Sequence, residues 1–314
     1  MTSGPAPQVS VVVPALDAAA TLPEQLERLA RQSGAPPFEV VVADNGSRDG
    51  TPEVAAAWSD RLTLRVVDAS QRRGAAHARN VGALAARAER LLFCDADDHV
   101  SLTWVATMAA CTTPGTLVAG PVMRVSGTTP LDTPPGPGAP VENSSTTHRY
   151  MGFLPCVLSG SVGITRTDFL RVRGFDSSYG RGCEDMDFSW RAQLAGLVPR
   201  VAEGSVLYYR QRDAAGASFA AERGYNRAAV LLWVRFRDEP GITGMSLGWS
   251  LRSLLRALLS VRPTTLREPA RRRDWARRVG ADVGSVEGHL RYRLLGSPPD
   301  RELLAVDPER PTSA

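Results

Sequence analysis

A short run of β-branched residues followed by a helix recurs through the N-terminal third of the chain, and that repeat constrains the fold more than any other feature. The first run, Val9-Ser10-Val11-Val12-Val13-Pro14, lacks polar alternation, as expected of a parallel strand buried on both faces. Thr21-Leu22-Pro23-Glu24 follows with capping-box spacing and an early proline. Leu22, Leu26 and Leu29 continue at helical intervals, which predicts a helix over about 21–33. Glu39 to Ala43 reads as a second strand, Thr51-Pro52-Glu53 opens another helix, and Leu62 to Val67 reads as a third strand. Arg72 to Asn80 leads into an alanine-rich helix around 80–90, which feeds the apolar run Leu91-Leu92-Phe93. Strands and helices alternating with short connections predict an α/β fold: a mostly parallel, doubly wound sheet flanked by helices. Ligands in such sheets bind beyond the carboxyl ends of the strands, where this chain carries Pro14 to Asp17, Asp44 and Asp95 to Asp98.

The segment Phe93-Cys94-Asp95-Ala96-Asp97-Asp98 crowds three carboxylates at a strand end. They repel one another unless a cation or polar ligand sits among them. Carboxylate oxygens suit Mg²⁺ or Mn²⁺, which are commonly held by one or two carboxylates together with substrate phosphates. The partner this implies is a nucleotide diphosphate. The bland alternative is a turn, in which aspartate bonds to its own backbone.

Four N-terminal segments and one downstream carry a family resemblance. They are Val11-Val12-Val13-Pro14-Ala15-Leu16-Asp17, the run from Asp44 to Thr51, the run from Arg73 to Gly82, the acid cluster, and Gly174-Phe175-Asp176 followed by Gly182-Cys183-Glu184-Asp185-Met186-Asp187. In order and spacing the chain resembles inverting glycosyltransferases of family 2, which have the GT-A fold. The resemblance implies a donor half at about 1–122, a loop at about 124–150 and an acceptor half at about 151–220. An arginine-rich helical extension would follow over 221–314.

The resemblance also assigns roles. Pro14, Ala15 and Asp17 would line the nucleobase pocket, with Asp44 accepting from an imide N–H, which favours a UDP or dTDP sugar. Gly74 would let the backbone approach the ligand, and Arg79 would lie near the base or diphosphate. Asp95 is expected at the ribose hydroxyls and the metal, Asp97 at the metal, and Asp98 in support. The cofactor would be Mn²⁺ or Mg²⁺, offsetting charge on the departing nucleoside diphosphate. Asp185 is the expected general base toward an acceptor hydroxyl on a glycan, a lipid-linked carrier or a small molecule. Glu184, Asp187 and Arg191 would orient Asp185 or the acceptor. Alternatively, Asp187 and Arg191, at i and i+4, form a surface ion pair worth about 0.3–0.5 kcal/mol.

The chain departs from the family where many members supply a metal-binding histidine after the base. Here the stretch reads Tyr208-Tyr209-Arg210-Gln211-Arg212, which leaves Arg210 or Arg212 to hold the diphosphate. The four histidines (His77, His99, His148, His289) have no metal-ligand spacing and read as structural or exposed. The missing histidine keeps open a second reading, a nucleotide-sugar-binding partner protein without turnover.

Residues 124–150, centred on Pro134-Pro135-Gly136-Pro137-Gly138, cannot be a core element and read as an acceptor-site flap or plain disorder. Val162-Gly163-Ile164-Thr165 should return the chain to the sheet. Farther on, Leu247, Leu251, Leu254, Leu255, Leu258 and Leu259 form one helical stripe flanked by Arg252 and Arg256. Over residues 251–296 arginines number eleven against Glu268, Asp274, Asp282 and Glu287. Such a segment either lies on an anionic membrane or packs on the catalytic domain with a solvated face. Nothing resembles a nucleic-acid recognition motif, and residues 297–314 read as frayed.

All 37 basic side chains are arginine, and the formal charge of +4 is mild and suits an anionic donor without singling one out. Cys94, Cys111, Cys156 and Cys183 lack paired short spacing, which favours reduced thiols. No signal-peptide pattern opens the chain, and its uncharged stretches near 240–251 and 100–123 are too short or too polar to span a bilayer. A cytoplasmic location is therefore expected, with the tail able to touch the inner face of the membrane.

Overall fold

The computed structural model describes residues 6–125, 149–210 and 218–305. The expected sheet is present. β1 (Val9–Ala15), β2 (Phe38–Asp44), β3 (Leu64–Asp68) and β4 (Arg90–Cys94) are joined by α1 (Leu22–Ala30), α2 (Thr51–Ala56) and α3 (Ala75–Ala85). After β4 come β5 (His99–Val100), α4 (Trp104–Cys111), β6 (Thr116–Ala119) and β7 (Val122–Val125). Beyond residue 149 lie β8 (Ser161–Thr165), α5 (Arg166–Arg171), α6 (Glu184–Leu194), β9 (Val198–Val201) and β10 (Leu207–Arg210). The main sheet has the order β3-β2-β1-β4-β8-β6-β9, and a smaller one has the order β5-β10-β7.

The parallel register runs from β3 through β2 and β1 to β4, while β8 is antiparallel to both neighbours, β4 and β6. β8 thus marks where the parallel order of the sheet is interrupted. The uninterrupted valines of β1 and β2 are buried on both faces, which is why those strands lack alternation.

Several local expectations are corrected. Thr21 does not cap α1: its backbone is already helical, its hydroxyl donates to the Ala18 carbonyl, and Glu24 pairs with Arg210 instead. α3 begins at Ala75 rather than near 80, because Gly74 at φ 136° breaks the preceding turn and its N–H is held by Asn45 Oδ1 at 2.7 Å. The expected flap at 124–150 lies outside the described residues apart from its two ends.

The C-terminal region builds α7 (Ser218–Phe236), α8 (Leu247–Leu259), α9 (Pro263–Arg267) and α10 (Pro269–His289). α7 packs against α6 and the segments around Phe153 and Tyr179, where Val230, Leu231, Leu232 and Phe236 join Trp190, Phe153 and Tyr179 in one core. α8 lies against α10 through small side chains: Ser250 and Ser285 hydroxyls are 2.8 Å apart, Ser253 donates to Asp282 at 2.9 Å, and Trp275 Nε1 donates to the Ala257 carbonyl at 2.9 Å. The leucine stripe of α8 was expected to face either a membrane or the catalytic domain, and Leu251, Leu255, Leu258 and Leu259 are exposed. Among the described residues no helix is long and apolar enough to cross a membrane.

Residues 297–305 are not frayed. Ser177 N–H donates to the Glu302 carbonyl at 3.0 Å, Glu302 N–H to Asp176 Oδ1 at 3.0 Å, and Leu304 N–H to the Arg173 carbonyl at 3.0 Å. Arg301 reaches the fully buried carboxylate of Asp187, and Arg235 of α7 donates to buried Asp176 at 2.8 Å. A buried carboxylate costs several kcal/mol unless it is paired and hydrogen-bonded, so two such acids hold the segment down. Substituting Arg301→Ala is expected to destabilise the protein by about 1.5–3 kcal/mol, the worth of a charge-assisted hydrogen bond, measured by urea unfolding.

Candidate active site

Beyond the ends of β1, β2 and β4 lies a cleft of about 480 Å³ whose lining includes Pro14, Ala15, Asp17, Gly74, Arg79, Asp95 and Asp97. Seven of the residues expected at a donor site are thus brought together. Asp17 sits at φ 48° and is fixed from the second loop: its carboxylate accepts from the Arg48 N–H at 2.8 Å, and its own N–H donates to Ser47 Oγ at 2.9 Å. Asp44 is not in the lining. Its carboxylate accepts from the N–H groups of Gly46 and Ser47 at 3.2–3.3 Å, while neighbouring Asn45 lines the cleft and ties Ala69, Arg72 and Gly74 together.

Arg79 projects from α3 with its side chain only 4% exposed, donating to Asp95 at 2.6 Å and reaching Glu184 at 3.5 Å. The acid loop is held from below by Gln25, buried among the leucines of α1, which donates to the Asp95 carbonyl and accepts from the Val100 N–H. Asp98 is buried and accepts from the Arg210 N–H at 2.9 Å, in keeping with support of the loop.

A second cavity of about 770 Å³ adjoins the first, the two sharing Leu16, Ala75, Arg79 and Asp95. Glu184 and Asp185 enter it from the first turn of α6. Cys183 makes this entry with a left-handed backbone (φ 67°), unusual for a residue with a side chain and a sign of local strain at a site. Burial pushes the Asp185 carboxyl up to about 7; the Glu184 charge adds to the rise, and Arg79 and the Met186 N–H oppose it. A carboxylate poised there takes a proton from a hydroxyl far better than an ordinary aspartate.

Tyr225 of α7 also lines this cavity, 46% exposed, with Arg181 stacked over its ring at 5.7 Å. Gly182, at φ 80°, passes so close that a Cβ there would lie 2.3 Å from the ring. Sequence reasoning missed Gln25, Asn45 and Tyr225. Gln25 gave one faint signal, a polar residue amid the apolar stripe of α1. A still larger cavity of about 990 Å³ lies between α8 and α10 and holds none of these acids.

Other expected residues are committed elsewhere. Asp187 and Arg191 do form the i,i+4 ion pair, at 2.6 Å, but it is buried rather than at the surface, because residues 299–304 cover that face of α6. Arg191 also donates to the carbonyls of Val172 and Gly174. Arg210 pairs with Glu24 and lines neither cavity, and Arg212 lies outside the described residues. Tyr208 stacks on buried His99, whose imidazole burial pushes down to about 4 and so leaves neutral. His148 lies outside the described residues. Among those described, no three His, Cys, Asp or Glu side chains are grouped to hold a metal. Asp95 and Asp97 nonetheless fit an ion shared with donor phosphates, which needs only one or two carboxylates. All four cysteines are free thiols.

The sheet order, the acids past β4 and the acid-opened helix across from them define the GT-A class of fold. The chain belongs to glycosyl transferase family 2, whose profile matches residues 10–169. Validoxylamine A glucosyltransferase of Streptomyces hygroscopicus subsp. limoneus is 30% identical over 232 residues, covering 63% of this chain and 51% of that enzyme. A PGL/p-HBAD biosynthesis glycosyltransferase of Mycobacterium bovis is 36% identical over 128 residues, covering 38% of this chain and 49% of the other. The chain thus spans about half the length of these curated relatives. S. aureus TarS 1–349, solved with UDP-GlcNAc, shares the fold at a TM-score of 0.57 and 18% identity over 90% of this chain and 91% of its own. Mannosyltransferase PcManGT of Pyrobaculum calidifontis, solved with GDP-Man and Mn²⁺, does so at 0.58 and 17%, over 90% and 87%.

A carboxyl whose folded value is raised stabilises the fold while protonated and loses that stability as pH climbs through about 7. Asp185→Asn, which stays neutral, should therefore gain in Tm relative to the unsubstituted protein between about pH 5 and about pH 8. Calorimetric scans across that range measure the gain.

Proposed function

We propose that the protein is an inverting glycosyltransferase that moves a sugar from a nucleotide diphosphate to an acceptor hydroxyl, with Asp185 as the general base. The observation that carries this reading is that Asp185, raised to about 7, shares one continuous pair of cavities with Asp95 and Asp97 across Arg79. The donor would lie in the β1–β4 cleft, its diphosphate toward Asp95, Asp97 and Arg79, with Gly74 allowing close approach. Asp44 lies outside the cleft lining with its carboxylate on the Gly46 and Ser47 N–H groups, so the preference for UDP or dTDP is carried by the family resemblance.

Asp95 and Asp97 would hold Mn²⁺ or Mg²⁺, and such an ion offsets negative charge on a departing diphosphate. As the acceptor oxygen bonds to the anomeric carbon, its proton passes to an Asp185 oxygen. The bond from that carbon to the phosphate oxygen breaks, and its electron pair leaves with the nucleoside diphosphate. Attack from the face opposite the leaving group inverts the configuration. Glu184 and Arg79 set the charge around the base, and Tyr225 offers an aromatic face to the acceptor. The acceptor is a hydroxyl on a glycan, a lipid-linked carrier or a small molecule, and the reaction belongs in the cytoplasm, where activated sugars are made. A binding protein without turnover has no use for a carboxylate raised toward neutrality, which counts against the alternative.

Calorimetric titration with UDP, dTDP, GDP and ADP, first with Mn²⁺ and then with chelator, tests the donor site. Binding of UDP or dTDP that weakens on chelation is expected; no binding by any of the four removes Asp95 and Asp97 from their roles. In Asp185→Asn, donor affinity should hold while transfer falls by about 10³-fold or more, and in the unsubstituted enzyme kcat/KM should rise with pH up to about 7.

A further inference from the structure

α8 is amphipathic, yet it is mounted with its apolar side outward. Its inner face is Ser246, Ser250, Ser253 and Ala257, fixed to α10 by the Ser250–Ser285, Ser253–Asp282 and Trp275–Ala257 hydrogen bonds. These contacts set the helix's rotation, so the leucines cannot roll inward without breaking them. On the outer side Leu251, Leu255, Leu258 and Leu259 are between 48% and 77% exposed. A continuous apolar face of this kind on a folded protein marks an interaction surface.

The charge around it selects the partner. Residues 247–278 hold nine arginines against two acids, Glu268 and Asp274, and Arg252, Arg256, Arg267 and Arg271 to Arg273 are all exposed. A second copy docked on this face would bring like charges together. A bilayer rich in anionic lipid offers both complements, acyl chains for the leucines and phosphates for the guanidinium groups. Arginine stems cover apolar surface while their heads stay in the headgroup layer. At 13 residues α8 is too short to span a bilayer, so it would lie in its plane.

We propose that the outer face of α8, with Arg267 of α9 and Arg271 to Arg273 at the start of α10, docks the protein on the surface of an anionic lipid bilayer. This goes beyond the transfer reaction, and its test uses no sugar. The 314-residue chain is floated with vesicles of phosphatidylcholine alone and of phosphatidylcholine with phosphatidylglycerol, at low and high salt. Co-flotation with the anionic vesicles, weakened by salt and much lower on phosphatidylcholine alone, is expected. Leu255→Ser with Leu259→Ser, and separately Arg272→Glu with Arg273→Glu, should each reduce binding about tenfold or more. Both pairs are solvent-exposed, so an unchanged Tm serves as the folding control. Absence of binding to anionic vesicles overturns the proposal, as does binding that neither double substitution alters. Sedimentation velocity covers the other occupant: a dimer that dissociates on the leucine substitutions assigns the face to a second copy and also overturns it.

Discussion

Arg79 faces both halves of the candidate site, and the geometry around it depends on that one charge. Its guanidinium is almost wholly out of water, so it is tolerable only because Asp95 and Glu184 neutralise it. Those acids sit on different halves of the chain, one past β4 and the other opening α6. Asp185 is next to Glu184 and feels Arg79 as the largest force opposing its rise. The same cation therefore faces the expected phosphate position and restrains the expected base. Any ligand that draws Asp95 away from Arg79 alters the electrostatics felt by the Glu184–Asp185 pair.

The region around α6 is stabilised from an unexpected direction. Asp176 and Asp187, both within segments that resemble the family's acceptor-side motif, are fully buried and spend their lone pairs on Arg235, Arg191 and Arg301. They hold the C-terminal segment against α6, and so hold the first turn of α6 in place. Glu184 and Asp185 remain free to face the cavity because the next acid along the helix is anchored on the far side.

What could be read from the sequence was what rests on local pattern. Uninterrupted valines gave β1 and β2, helical leucine spacing gave α1, and the crowded acids after Phe93 pointed to the carboxyl end of a central strand, where they do line a cleft. What escaped depends on distant partners. Nothing near Asp187 announces Arg301, 114 residues away, so the ion pair with Arg191 looked like a surface pair. Glu24 had the spacing of a cap, but Arg210 claims it. Asp44 and Asn45 differ by one position in a turn, and backbone geometry alone decided which of them lines the cleft. The leucine periodicity of α8 showed that the helix has two faces. Which one meets the protein was settled by serine hydroxyls that no hydrophobicity pattern weighs.

The Arg301 contact also bears on how the molecule is made. Asp187 and Asp176 are synthesised long before Arg301 and Glu302, so both acids cannot be buried at full compensation until residues near 301 have cleared the ribosome. The parallel strands β1 to β4 pair with one another and can assemble earlier. Helix α6 has to wait for residue 301, so Glu184 and Asp185 are seated only after most of the sheet has been made.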